Sequence, residues 1–249
     1  MQRTTLSSSS AAEIYERLDF QAANEETVQR LASDAVRSYG ETEACIPSLV
    51  QGVLESLTAP LNERGLRLCD IALSDRISEL EFTLAVGDLN SVINTERFSQ
   101  LFKMSDSPMA REYASTLGRL VPAKFYGFLR GFIDLVFRHD DRYYLLDYKS
   151  NWLGFSANDY QPDRLRQEMV RHHYILQYYL YSAALERYLR FRVQDYDSQR
   201  HFGGVYYLFL RGMAPSHPLG TGVFFDHPDA TLVNQILQLL GEGSDDDRR

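Results

Sequence analysis

The chain has 249 residues, with 26 Lys and Arg against 34 Asp and Glu, for a formal net charge of −8. That balance argues against a free-standing, nonspecific nucleic-acid binder, though not against a nuclease that receives DNA from a more basic partner. Hydrophobic residues make up 44% and charged residues 24%, as in a globular chain of one large domain, or one domain with a helical annex. Two cysteines, Cys45 and Cys69, exclude a four-cysteine zinc or iron–sulfur site and suit a reducing, cytoplasmic setting.

The N-terminus, MQRTTLSSSS, lacks the apolar core of a signal peptide. No apolar run reaches the roughly 18 residues of a membrane span. Asn24 is placed to cap a helix through EETVQRLASDAVRSYG, with Gly40 at its end. IPSLVQGVLESL reads as a second helix. RISELEFTLAV then alternates, with Leu80, Phe82, Leu84 and Val86 on one face and Glu79, Glu81 and Thr83 on the other, which predicts a half-buried strand. TERFSQLFKM and MAREYASTLGRL predict helices in the connection that follows.

GFIDLVFRHDDRYYLLDYKSNW reads as a hairpin, with HDDR as the turn between two β-branched and aromatic runs. DYQPDRLRQEMVRHHYILQYYLYSAALERYLRFR predicts one long helix from Pro162 to about Arg190. HFGGVYYLFLRG is a near-continuous apolar strand, as in a sheet covered on both faces. Pro228 opens a last helix, DATLVNQILQLL, stopped by Gly241. GEGSDDDRR reads as a solvated, disordered tail. The order predicts an α/β fold with a central mixed sheet. Its parts are an N-terminal helical region over 1–72, a core over 73–241 and an acidic tail over 242–249.

The hairpin carries the chemistry. With the turn centred between Asp140 and Asp141, His139 faces Arg142, Asp134 falls opposite Asp147 and Phe132 opposite Lys149. Asp147 and Lys149, two apart, share a face. Carboxylates directly across a ladder repel, and a divalent cation between them would turn repulsion into binding. Hard oxygen ligands suit Mg²⁺, which keeps waters and takes substrate phosphate oxygens. A lysine beside such a pair can orient or help deprotonate an attacking water, or stabilise phosphoryl charge. An ordinary hairpin with surface charges accounts for the same residues, since Asp-x-Lys is a common chance pattern.

The run GFIDLVFRHDDRYYLLDYKSNWLG resembles the RecB-type nuclease domain of the PD-(D/E)xK superfamily. The resemblance continues in LQYYLYSAALERYLR and HFGGVYYLFLRGM and extends, more weakly, from about Leu18 to the final helix. It implies the restriction-endonuclease-like α/β fold and Mg²⁺-dependent cleavage of DNA, with Mn²⁺ able to substitute. It assigns Asp134 and Asp147 as metal-binding aspartates and Lys149 as the catalytic lysine. ELEF resembles the family's upstream acidic motif and points to Glu79 before Glu81. Gln177 and Tyr181 match a Q-x-x-x-Y motif on one helical face. With Tyr148 they are expected to contact DNA or support the site. The resemblance implies single- or double-stranded DNA as partner, with helicase, RecC- and RecD-like subunits and a recombinase alongside, and no membrane.

Two departures qualify that expectation. No G-x-x-x-x-G-K-[ST] phosphate loop is present, so the chain reads as an excised domain or a stand-alone relative. The family's metal-binding histidine, counted back from ERLDF, falls near Ala12. TTLSSSSAAEIY contains no histidine and lacks the family's glycine-containing lead-in. His172 or His173 could replace it only if the long helix turned them inward. The expected function is therefore a Mg²⁺-dependent nuclease. The alternative is a degenerate domain that binds DNA or protein.

Overall fold

The computed structural model describes residues 8–86, 93–120, 124–125 and 127–241. The acidic tail expected over 242–249 lies outside the described residues.

In chain order the elements are α1 (Ser8–Arg17), α2 (Glu25–Ser38), α3 (Ile46–Thr58), β1 (Arg76–Val86), β2 (Ile93–Asn94), α4 (Thr95–Met104), α5 (Pro108–Leu117), β3 (Lys124–Phe125), β4 (Gly127–His139) and β5 (Arg142–Lys149). There follow α6 (Pro162–Arg171), α7 (Tyr174–Arg192), α8 (Ser198–His201), β6 (Phe202–Phe209), β7 (Val223–Asp226) and α9 (Ala230–Leu239). Strands β1, β4, β5, β6 and β7 form one mixed sheet in the order β1-β4-β5-β6-β7, flanked by helices. β2 and β3 pair separately, antiparallel. Neither that pair nor β7 carries enough alternation to be read from sequence.

The chain divides into two compact units. The first comprises 1–80, 134–166 and 206–225. Its core joins Ile14, Tyr15 and Leu18 of α1 to Val28, Leu31 and Ala35 of α2 and to Leu49, Val53 and Leu57 of α3, with Leu135, Phe137, Leu146, Tyr148, Tyr206 and Leu208 from the strands. Local signals set the helix ends here. Asn24 accepts a hydrogen bond from Thr27 N–H at 2.9 Å, and Gly40 takes the left-handed φ of 64° that ends α2.

The second unit comprises 81–133, 167–205 and 226–249. Phe102 of α4 packs edge-on against Tyr113 of α5 and Tyr179 of α7. Tyr178 donates to Asp226 at 2.6 Å. Asp229 caps α9 by accepting from Thr231 N–H, so the capping residue stands one place beyond Pro228.

The single long helix expected from Pro162 to Arg190 is instead two. α6 ends at Arg171, and His173 takes a left-handed φ of 58° before α7 begins. The residue pattern is helical throughout, and tertiary contacts override it. Tyr113 OH and His173 Nδ1, sixty residues apart, share a 2.7 Å hydrogen bond, while His172 pairs only locally, with Glu168 four residues before it at 3.0 Å.

Candidate active site

The hairpin β4–β5 turns on Asp140 and Asp141, whose φ of 49° and 56° are those of a two-residue type I′ turn. Aspartate tolerates this region better than most residues. The turn fixes the register expected from sequence, His139↔Arg142 through Leu135↔Leu146. Asp134 and Asp147 are the next residues along each strand. β5 runs through the interior, with Leu145 and Leu146 fully buried and Asp147 only 3% exposed.

A carboxylate so buried is costly unless paired. Lys149 Nζ lies 2.5 Å from Asp147 Oδ1 as an ion pair, yet that oxygen is buried without a well-aligned hydrogen bond. Burial raises the Asp147 pKa and Lys149 pulls it back, leaving it above the ordinary value. Asp134 Oδ2 accepts the Tyr148 backbone N–H at 2.8 Å. Desolvation first and the Asp147 charge second push Asp134 up to about 7, against the opposing effects of the Tyr148 N–H and Lys149. Lys149 also sits 5.0 Å from the centre of the Tyr207 ring.

The upstream acidic motif separates into two environments. Glu79 has a left-handed φ of 51°, unusual for a non-glycine strand residue and a mark of local strain. Its charge contributes to the raised pKa of Asp134 and of Glu16. Glu81 is tied to Arg130 at 2.6 Å. Of the two, Glu79 is thus the one whose field reaches Asp134.

Tyr148 is buried and stacks on Tyr15 of α1, with ring centres 4.3 Å apart. Tyr15 in turn meets Ser56 of α3 at 2.5 Å. Tyr148 therefore supports the site through its backbone N–H and its packing. In the second unit, Gln177 donates to Tyr181 OH at 2.9 Å on α7, and Tyr181 packs edge-on against Phe82. Their four-residue spacing places them side by side, as read from sequence.

Two participants escaped the sequence reading. Glu16, exposed on α1 one helical turn after Ala12, has its pKa raised by partial desolvation and then by the charge of Glu79. Arg76, 8% exposed, donates to Leu18 O and lies 3.5 Å over the Phe20 ring. It ties the end of α1 to β1 beside Glu79. A charged residue opening an alternating strand gives no sign of burial.

Among the described residues no group of three or more His, Cys, Asp or Glu side chains forms a ready-made metal cage. The two aspartates still fit a hard divalent cation with open positions. Both offer carboxylate oxygens, and Asp147 Oδ1 is a buried acceptor lacking an aligned donor.

Over 190 residues the chain is 41% identical to RecB of Escherichia coli (strain K12), "RecBCD enzyme subunit RecB", which covers 75% of this chain. The chain is a RecB-related domain. RecB of Haemophilus influenzae is 38% identical over 82% of the chain, and RecB of Mycobacterium tuberculosis 37% over 79%. The match spans 15%, 16% and 20% of these relatives' own lengths, respectively. No family model matches the chain. Among the described residues no helix is long and apolar enough to cross a membrane.

Proposed function

We propose that this chain is a Mg²⁺-dependent deoxyribonuclease that hydrolyses phosphodiester bonds as the nuclease part of a RecB-like break-processing assembly. The observation that carries the reading is the buried Asp147, ion-paired with Lys149 and set across the hairpin from the half-buried Asp134, in a RecB-related domain. Asp134 and Asp147 would hold Mg²⁺, or Mn²⁺ in its place. A cation so bound supplies Lewis acidity to a phosphoryl oxygen and lowers the pKa of a coordinated water.

The remaining work falls to this chain's residues. Lys149 Nζ, paired with Asp147, would orient the attacking water or neutralise charge on the phosphoryl group. The Tyr148 N–H fixes one oxygen of Asp134, and the other would serve as the metal ligand. Glu79 adds negative field and is the best-placed further carboxylate. Gln177 and Tyr181, joined by a hydrogen bond, are assigned to support of the site or to contact with a DNA phosphate. DNA, a helicase, RecC- and RecD-like subunits and a recombinase are the partners this reading implies.

The test combines calorimetric titration of Mg²⁺ and Mn²⁺ with cleavage of end-labelled single-stranded and duplex DNA by the same sample. Metal binding and metal-dependent cleavage, both lost in Asp147→Asn, are expected. Metal binding without cleavage by the parent protein would favour a degenerate domain, to which the absence of a histidine at Ala12 points.

A further inference from the structure

Three residues beyond Lys149, the chain leaves β5 and exposes its one tryptophan. Trp152 is 44% exposed and Phe155 is 79% exposed. Their rings meet edge-on, 4.8 Å apart at 84°. The Arg211 guanidinium carbon lies 5.8 Å from the Trp152 ring centre, while its Nε donates to Ser150 O at 2.8 Å. Three residues span at most about 11 Å of chain, so this aromatic corner adjoins the lysine of the catalytic constellation.

The loop that presents it is rigidly built. Gly154 has a φ of 159°, and a Cβ there would fall 2.2 Å from the Asp159 carboxyl. Asp159 accepts from both the backbone N–H and the hydroxyl of Ser156. Leu153 N–H donates to Tyr160 OH at 3.2 Å. The Tyr160 ring packs so close to Gly212 that a Cβ there would meet it at 2.4 Å. Both aromatic rings are therefore displayed on a backbone with little freedom to withdraw them, although the exposure forgoes their burial. Beside them lies a groove of about 250 Å³, bordered by Tyr15, Ser150, Trp152 and Arg211. That is below the roughly 300–1,000 Å³ of pockets for whole drug-sized ligands and suits a single planar ring.

We propose that Trp152, Phe155 and Arg211 form a stacking platform for an unpaired nucleobase of single-stranded DNA, adjacent to the scissile phosphate. The inference rests on the nuclease reading for its substrate. The chemistry favours a base over other apolar ligands. Sequence-tolerant single-strand sites combine aromatic faces that stack bases with arginine, which adds cation–π contact and backbone charge. A duplex keeps its bases inside and cannot use such a corner. The platform therefore makes the site selective for a strand already unwound.

Because Trp152 is the chain's one tryptophan, its emission reports on the platform alone. The experiment titrates the full chain at low salt, with Ca²⁺ in place of Mg²⁺, using oligothymidylate and an abasic oligomer of equal length. Trp152 emission and fluorescence polarisation of the labelled oligomers are both read. Oligothymidylate should quench Trp152, and the abasic strand should not. Trp152→Ala should weaken oligothymidylate binding by roughly 5- to 100-fold, the loss expected for one base–aromatic stack. Trp152→Phe should restore most of it, and Phe155→Ala should give a smaller loss. Equal quenching by both strands, or unchanged affinity in Trp152→Ala, overturns the platform. Metal-dependent cleavage by a protein whose Trp152 emission ignores DNA overturns the platform and leaves the nuclease reading intact. Base-dependent quenching without cleavage keeps the platform and overturns the nuclease reading.

Discussion

Replacing Asp147 by Asn should stabilise the metal-free protein, and only at alkaline pH. In the folded protein Asp134 titrates near 7 instead of the ordinary 3.8, through desolvation first and the Asp147 charge second. A raised carboxyl pKa means the folded state holds the proton more tightly than the unfolded one. Its contribution to stability is intact below the unfolded value and is lost as pH rises through the folded value. Ionising Asp134 in the folded protein above about pH 7 thus costs on the order of 4 kcal/mol relative to the unfolded chain. Asp147 supplies the smaller part of that, so its neutralisation should return on the order of 1 kcal/mol, or roughly 2–4 °C in a domain of this size. The Asn amide can donate to Asp134, and Lys149 keeps an anion in Asp134, whose pKa it lowers. The assay is thermal melting in EDTA, comparing about pH 8 with about pH 5, where Asp134 is largely protonated in the folded state. A gain at the higher pH and none at the lower is expected, with Mg²⁺ raising the melting point of the parent and not of the variant. If Asp147→Asn melts lower by the same margin at both pH values, the ion pair with Lys149 dominates and the reasoning about carboxylate repulsion fails.

Lys149→Gln should keep metal affinity and lose at least roughly 100-fold in cleavage rate, read by calorimetry and single-turnover kinetics; collapsed affinity with normal turnover at saturating metal would refute the assigned role. Glu79→Gly should melt no lower than the parent, because release from a left-handed φ of 51° offsets the roughly 0.5–1 kcal/mol that glycine usually costs in a strand. Ala12→His, one turn from Glu16 on α1, should tighten Mn²⁺ binding more than Mg²⁺ binding, with the gain fading below about pH 6 as the imidazole protonates. Unchanged Mn²⁺ affinity in calorimetry would remove Ala12 from the neighbourhood of the aspartates.

What could be read in advance followed from local rules. Asp140 and Asp141 gave the turn, the turn gave the register, and the register set Asp134 and Asp147 one residue past the last cross-strand pair found. Asn24 as cap and Gly40 as stop required only backbone chemistry. What could not be read depends on contacts distant in sequence. The break at His173 comes from a tyrosine sixty residues away. The burial of Arg76 depends on Phe20 and Leu18, which no pattern in RISELEF announces. The left-handed φ at Glu79 falls where the alternation slips, at the adjacent polar pair Ser78 and Glu79, a break too slight to announce it.

The charge arrangement itself argues between a structural hairpin and a cation site. A hairpin with ordinary surface charges would place its acids in water, where each keeps its usual affinity for protons. Here Asp147 is 3% exposed, and the field on Asp134 includes Asp147 and Glu79 against a single lysine. Glu79 also acts on Glu16, so the negative field continues onto α1. One ammonium group cannot balance a buried carboxylate and a half-buried one, and a further carboxylate nearby deepens the deficit. Two remedies exist: a proton, which Asp134 can take near neutral pH, or a divalent cation, which both aspartates can share. They differ in sign with pH. Protonation relieves the site most in acid, whereas a cation competes with the proton and relieves it most in base. A Mg²⁺-induced rise in melting temperature that grows from about pH 5 to about pH 8 therefore marks a site built for a metal. A rise that is flat or shrinks over that range would mean that Asp134 is held as a neutral acid, and that the proposed nuclease mechanism lacks its first ligand.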